Sequence, residues 1–152
     1  MAKPTDPSKN GYMFSDDMKF LQKVIIYHPT DDNKILLLKR AMDSFSRPGD
    51  WDFPGGNVLF GEPHDESILR EVKEETGLTL NILHPVQIIS RFNEHTQTYY
   101  LIINYRARAE SEEIMISNEH TEYKWVTFEE FDALNPVDFM RETAKAARDH
   151  SI

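Results

Sequence analysis

The chain has 152 residues, 39% hydrophobic and 28% charged, with a net charge of −9, which suits one well-buried globular domain and is too short for two ordinary ones. The absence of cysteine excludes disulfides, thiolate metal centres and cysteine nucleophiles, and the acidic balance argues against a broad electrostatic footprint on nucleic acid. With no bilayer-length apolar run and no apolar signal-peptide core, a cytoplasmic protein with neither membrane nor nucleic-acid partners is expected.

In chain order, residues 1–17 are polar and interrupted by Pro4, Pro7 and Gly11. They read as a flexible lead before a single domain over 18–152. The β-branched and aromatic run from Lys19 to Tyr27, the Asp31-Asp32-Asn33 turn and the run Lys34 to Lys39 predict a hairpin. Arg40 to Asp50 reads as a surface loop, in which Phe45 and Arg47 are loop anchors before they are substrate contacts. Trp51 to Phe53 is short and extended, and Pro54, Gly55 and Gly56 make a tight turn that exposes backbone.

A helix then starts at Pro63, whose missing N–H costs nothing in the first turn, and ends at Gly77, a residue suited to a left-handed cap. At 100° per residue, Ile68, Leu69, Val72 and Thr76 form its inward stripe, with Glu71 and Glu75 along one edge and Glu74 further out. Glu71 lies three and four residues from Glu74 and Glu75, so like charges face one another at roughly 0.2–0.5 kcal/mol a pair. An exposed acidic face accounts for most such runs. A hard divalent cation, Mg²⁺ or Mn²⁺, would instead resolve the conflict, because it requires clustered oxygen ligands.

Beyond the helix, Leu78 to Leu83 predicts a strand, Pro85 a break, and Val86 to Phe92 a further strand. Asn93 to Thr96 forms a turn into a long strand from Gln97 to Ala109, with Tyr99, Leu101, Ile103, Tyr105 and Ala107 on one face. Glu110 to Glu113 reads as a solvated acidic loop, and Tyr123 to Val126 as the last strand. Thr127 to Glu130 is a capping box for a short helix to about Leu134. Asn135 and Pro136 restart a helix to about His150, with Val137, Met140, Ala144 and Ala147 facing the body. Strands interspersed with helices imply an α/β fold with a mixed sheet covered on both faces.

Gly56, Glu62, Arg70, Glu71, Val72, Glu74, Glu75, Gly77 and Leu78 match the pattern G-x5-E-x7-R-E-U-x-E-E-x-G-U, where U is a bulky aliphatic. In this the chain resembles the Nudix hydrolases, and the likeness extends from KILLLKR and GDWDFPGG before the box to Trp125. The resemblance implies an α/β/α sandwich with a mixed β-sheet between helices. It also implies hydrolysis of a nucleoside diphosphate linked to another group, with Mg²⁺ or Mn²⁺ as cofactor and a small nucleotide as substrate. By match to the motif, Glu74 and Glu75 are the principal metal ligands, Glu71 is a further ligand or the general base, and Arg70 orients a catalytic carboxylate. Gly56 lets the backbone approach the metal, and Glu62 is either an outer partner or a cap-region acid.

Many members of that family use one more acid downstream, for which Glu119 and Glu122 are level candidates. Arg40 is a candidate substrate contact, weighed equally against simple solvation at a strand end. His95 and His120 read as exposed loop histidines, leaving an all-oxygen metal site. Phe92, Tyr99 and Trp51 are more plausibly core than base-stacking platforms.

The resemblance favours a MutT-like enzyme that converts a (d)NTP to a nucleoside monophosphate and pyrophosphate, with a homodimer as the implied assembly. ADP-ribose and nucleotide sugars are alternative substrates. A nucleotide-sensing module without turnover is the alternative from another class, and an isopentenyl diphosphate isomerase is disfavoured by the lack of cysteine.

Overall fold

A computed structural model describes residues 18–81 and 83–149; the lead assigned to 1–17 and the end of the last helix at His150 fall outside them. The strands are β1 (Met18–Tyr27), β2 (Lys34–Arg40), β3 (Trp51–Asp52), β4 (Gly55–Asn57), β5 (His84–Asn93), β6 (Thr98–Arg108) and β7 (His120–Thr127). The helices are α1 (His64–Thr76), α2 (Phe128–Ala133) and α3 (Asp138–Asp149). Among the described residues no helix is long and apolar enough to cross a membrane.

β1 is central because its run is apolar on both faces. Val24 and Ile26 point into one core with Leu36, Leu38, Ile68, Val72 and Tyr105. Ile25 and Tyr27 point into a second core with Ile35, Leu37, Phe131, Met140 and Ala144. Such unbroken hydrophobicity belongs to a strand covered on both sides. α1 lies over the first core, and α2 and α3 over the second, which makes an α/β/α sandwich around a mixed sheet.

The sheet runs β3-β2-β1-β6-β5, with β4 joined to β1 and β7 to β2. β1 and β6 are parallel from Met18↔Tyr99 to Tyr27↔Arg108, and β5 and β6 form an antiparallel pair. The expected β1–β2 hairpin is open: the two strands register only at Tyr27↔Ile35. β4 occupies the neighbouring edge of β1 from Leu21 to Lys23, while β2 pairs along its length with β7. The expected tight turn at Gly55 and Gly56 is therefore part of a strand. Leu78 to Leu80 is not a strand; Leu78 and Leu80 are buried as an irregular crossing segment.

In α1, Pro63 is the residue before the first helical turn, and Gly77 caps the helix at φ 78° with its N–H bonded to the Lys73 carbonyl. The buried residues are Ser67, Ile68, Val72, Glu75 and Thr76, while Leu69 is exposed. The inward face is thus rotated away from Leu69 toward the glutamates, and it carries Glu75 into the interior. The capping box at Thr127 and Glu130 is formed. α3 begins two residues after Pro136, burying Met140, Thr143, Ala144 and Ala147 and leaving Val137 exposed.

Candidate active site

The box helix meets β4 through two glycines with different tasks. Gly55 has φ 148°, and a Cβ there would lie 2.0 Å from the Gln22 carbonyl oxygen. Its N–H donates to Glu75 at 2.9 Å. At Gly56 a Cβ would lie 2.9 Å from the Glu71 carboxyl carbon, so the bare backbone makes room for that carboxylate. Both glycines and both acids line one open cavity of about 1370 Å³.

Glu75 is only 6% exposed. Burial pushes its carboxyl up to about 8, opposed by Lys23 and the Gly55 N–H and reinforced by Glu71 and Glu119. Burial also raises Glu71, with Arg70 opposing and Glu74 and Glu119 adding to the rise. Glu119 stands in a turn at the mouth of β7, where one of its carboxylate oxygens, one of Glu75 and a ring nitrogen of His120 lie within 4.8 Å of one another. Glu71 and Glu75, raised by burial and by the carboxylates beside them, form an arrangement a divalent cation would relieve. The donor set therefore fits such an ion.

Arg70 organises the outer side of the helix. It forks onto Glu62 at 2.8 and 3.0 Å and also reaches Glu71 at 3.3 Å and Glu74 at 3.2 Å. The hydrogen bonds from Arg70 hold the Glu62 carboxyl down at about 2. Glu74, an expected principal ligand, turns its exposed side chain to Arg70 and lies outside the cavity lining.

The two downstream candidates are separated by a bulge. β2 and β7 pair in step from Lys34↔Thr127 to Lys39↔Glu122, but the next pair is Arg40↔His120, leaving Thr121 as the extra residue. Strict alternation would put His120 and Glu122 on one face; the extra residue turns His120 to the face of Arg40. Glu122 stays with Lys39, ion-paired at 3.3 Å and more than half exposed. The structure thus groups Glu119 with Glu75 and leaves Glu122 outside. It also corrects the reading of His120 as an exposed loop residue: it is 7% exposed and begins a strand. His95 is exposed, as expected.

A second group forms the cationic side of the cavity. It includes Arg40, expected as a candidate substrate contact, and Arg47, expected first as a loop anchor, but Lys23 and the aspartate that joins them were missed in the sequence. Oδ2 of the fully buried Asp52 accepts ion pairs from Lys23 at 3.0 Å, Arg40 at 3.0 Å and Arg47 at 2.9 Å, while Oδ1 accepts from the Phe53 N–H. Arg40 is also fixed to the Ser46 carbonyl at 2.7 Å. Arg47 lies over the Phe139 ring, 5.3 Å from its centroid. Three cations share one anion, and all three line the cavity. WDFPGG reads locally as a strand and turn, with no sign that its aspartate is a buried hub.

Phe45 and Phe92 lie exposed on the cavity rim, and Phe92 touches Tyr99 with ring centroids 6.3 Å apart. Trp51 lies outside the cavity lining, under Lys39 and Lys124.

Comparisons with known proteins identify the family and the fold. The family profile described as NUDIX domain matches residues 19–147. A segment of 47 residues is 53% identical to an ADP-ribose pyrophosphatase of Methanocaldococcus jannaschii, covering 31% of this chain and 27% of that protein. The chain is 30% identical over 105 residues to nucleoside triphosphatase NudI of Escherichia coli, covering 63% of this chain and 74% of NudI. Its fold superposes on the MutT protein of Methanosarcina mazei with a TM-score of 0.75 at 26% identity, over 90% of this chain and 98% of the other. With the family profile matching residues 19–147 and Gly56, Glu71 and Glu75 of the box lining one cavity, the chain belongs to the Nudix family.

Proposed function

We propose that the chain is a divalent-cation-dependent diphosphohydrolase, with Mg²⁺ as its ordinary cofactor, that cleaves a (d)NTP to a nucleoside monophosphate and pyrophosphate. The observation that carries this reading is the polarity of the cavity: Glu71, Glu75 and Glu119 form one region of its lining, and Lys23, Arg40 and Arg47 another. A polyphosphate needs both. The cations draw its oxygens in, and the acids can face it only across a divalent ion.

Glu75 and Glu119 would hold that ion, and Glu71 at the border of the group would ligate it or accept the proton of the attacking water. When bound, the ion supplies Lewis-acid activation and neutralises charge on the phosphates. Arg70 restrains Glu71 through its hydrogen bond. The Asp52 hub fixes the directions of Arg40 and Arg47, so they need little reorganisation when substrate arrives.

ADP-ribose or a nucleotide sugar is the second reading, favoured by the likeness to the M. jannaschii pyrophosphatase and by the roomy cavity. Chromatographic product analysis with Mg²⁺ and a panel of (d)NTPs, ADP-ribose, nucleotide sugars and dinucleoside polyphosphates tests both. EDTA-treated enzyme and Glu71→Gln serve as controls. Monophosphate plus pyrophosphate from a triphosphate supports the first reading, and cleavage confined to ADP-ribose or a sugar nucleotide replaces it with the second. Saturable binding without products would make the chain a sensor.

A further inference from the structure

The buried His120 is not used by the reading above. Its ring nitrogen Nδ1 is enclosed and has no hydrogen-bond partner, although buried polar atoms are rarely left unpaired. The ring lies in the group with Glu75 and Glu119, all three ligand atoms within 4.8 Å of one another. Two ligands on opposite sides of one ion would be about 4.2 Å apart, twice the ~2.1 Å metal–nitrogen distance. A small side-chain adjustment therefore suffices.

A neutral imidazole offers a lone pair, as a metal ligand must. The placement comes from the β7 bulge, since in a regular register, with Thr121 paired to Arg40, the ring would share the outer face of Glu122.

We propose that His120 is a nitrogen ligand of the cation site, forming with Glu75 and Glu119 a mixed oxygen–nitrogen set that favours Mn²⁺ or another first-row transition ion over Mg²⁺. This rests on the proposed cation-dependent hydrolase only for the location of the site. Imidazole adds affinity for transition ions, whereas Mg²⁺ prefers oxygen donors and retains its waters. One site then serves Mg²⁺ when it is abundant and binds Mn²⁺ more tightly when both are present.

The test uses the full chain loaded with Mn²⁺ and carrying ¹⁵N-histidine. Electron spin-echo spectroscopy should show coupling to a histidine nitrogen in wild type, and that coupling should vanish in His120→Gln. Calorimetric titration should show Mn²⁺ binding weakened roughly tenfold or more in His120→Gln, within the range expected for disturbing a metal's ligand environment, with Mg²⁺ binding changed less than threefold. Absence of nitrogen coupling in wild type overturns the proposal, as do equal losses for the two ions. The wild-type spectrum decides even if the variant does not fold. Mg²⁺-supported hydrolysis without nitrogen coupling would defeat this inference alone. Nitrogen coupling without hydrolysis of any nucleotide would instead defeat the proposed activity.

Discussion

The Gly55 N–H donates a 2.9 Å hydrogen bond to the Glu75 carboxylate, tying β4 to the inward face of α1. This contact has Gly55 at φ 148°, with the Gln22 carbonyl occupying the place a Cβ would take. Gly55→Ala forces a backbone displacement, because the obstructing atom is main chain in the central strand. A loss of at least about 2 kcal/mol is expected, read as a lower urea midpoint. A midpoint equal to wild type would show that β1 and β4 can separate freely.

Gly56 makes the opposite prediction. A methyl group there meets the Glu71 side chain, which can rotate away. Gly56→Ala should therefore retain most of the stability while turnover falls roughly tenfold or more as Glu71 leaves its place, in line with the steep cost of misplacing catalytic groups by an ångström. Turnover and melting temperature measured on the same preparation check the split. Unchanged turnover would remove Glu71 from the chemistry.

Glu119 and Glu122 should part company as well. Glu119→Gln removes a carboxylate from the group around Glu75 and is expected to lower turnover tenfold or more, as expected for a lost ligand or base. Glu122→Gln breaks only a partly exposed pair with Lys39, worth at most about 1 kcal/mol, and should leave turnover near wild type. Steady-state kinetics on both variants decide the matter. The reverse ranking would mean that the face assignment at the β7 bulge is wrong.

Asp52 links the cationic side of the cavity to pH. Burial alone would raise its pKa, but Lys23, Arg47 and Arg40 outweigh it and hold the carboxyl at about 2, below the ordinary 3.8. Because the folded value is the lower one, the stabilisation is complete above the unfolded value and is lost as pH falls from there through about 2. It amounts to about 2 kcal/mol at 1.36 kcal/mol per unit. Asp52→Asn should be less stable at neutral pH by about 3 kcal/mol, since three cations lose their partner, and should lack this part of the acid dependence. Unfolding free energies from pH 7 to pH 2.5 test it. Parallel curves for the two proteins would refute the assignment.

The spacing of the box residues along the chain, the Gly77 cap, the Thr127 capping box and the doubly apolar runs of β1 and β2 were all readable from residue order, because each depends on neighbours within a few positions. Helix periodicity also placed Glu71 and Glu75 at the border of the core. What it could not supply was the rotation of α1, since Leu69 and Glu75 compete for the inner face and only the packed sheet decides between them. The same holds for the opened hairpin, which is set by β4 and β7 from distant parts of the chain. Whether Glu119, Glu122 or His120 faces the cavity turned on a single bulged residue, and one extra residue reverses every later side-chain direction. Asp52 and its three cations come from three strands and a loop, so their meeting is a property of the tertiary structure: local sequence specifies helices, caps and strand faces, while register and long-range contact decide which charges share one cavity.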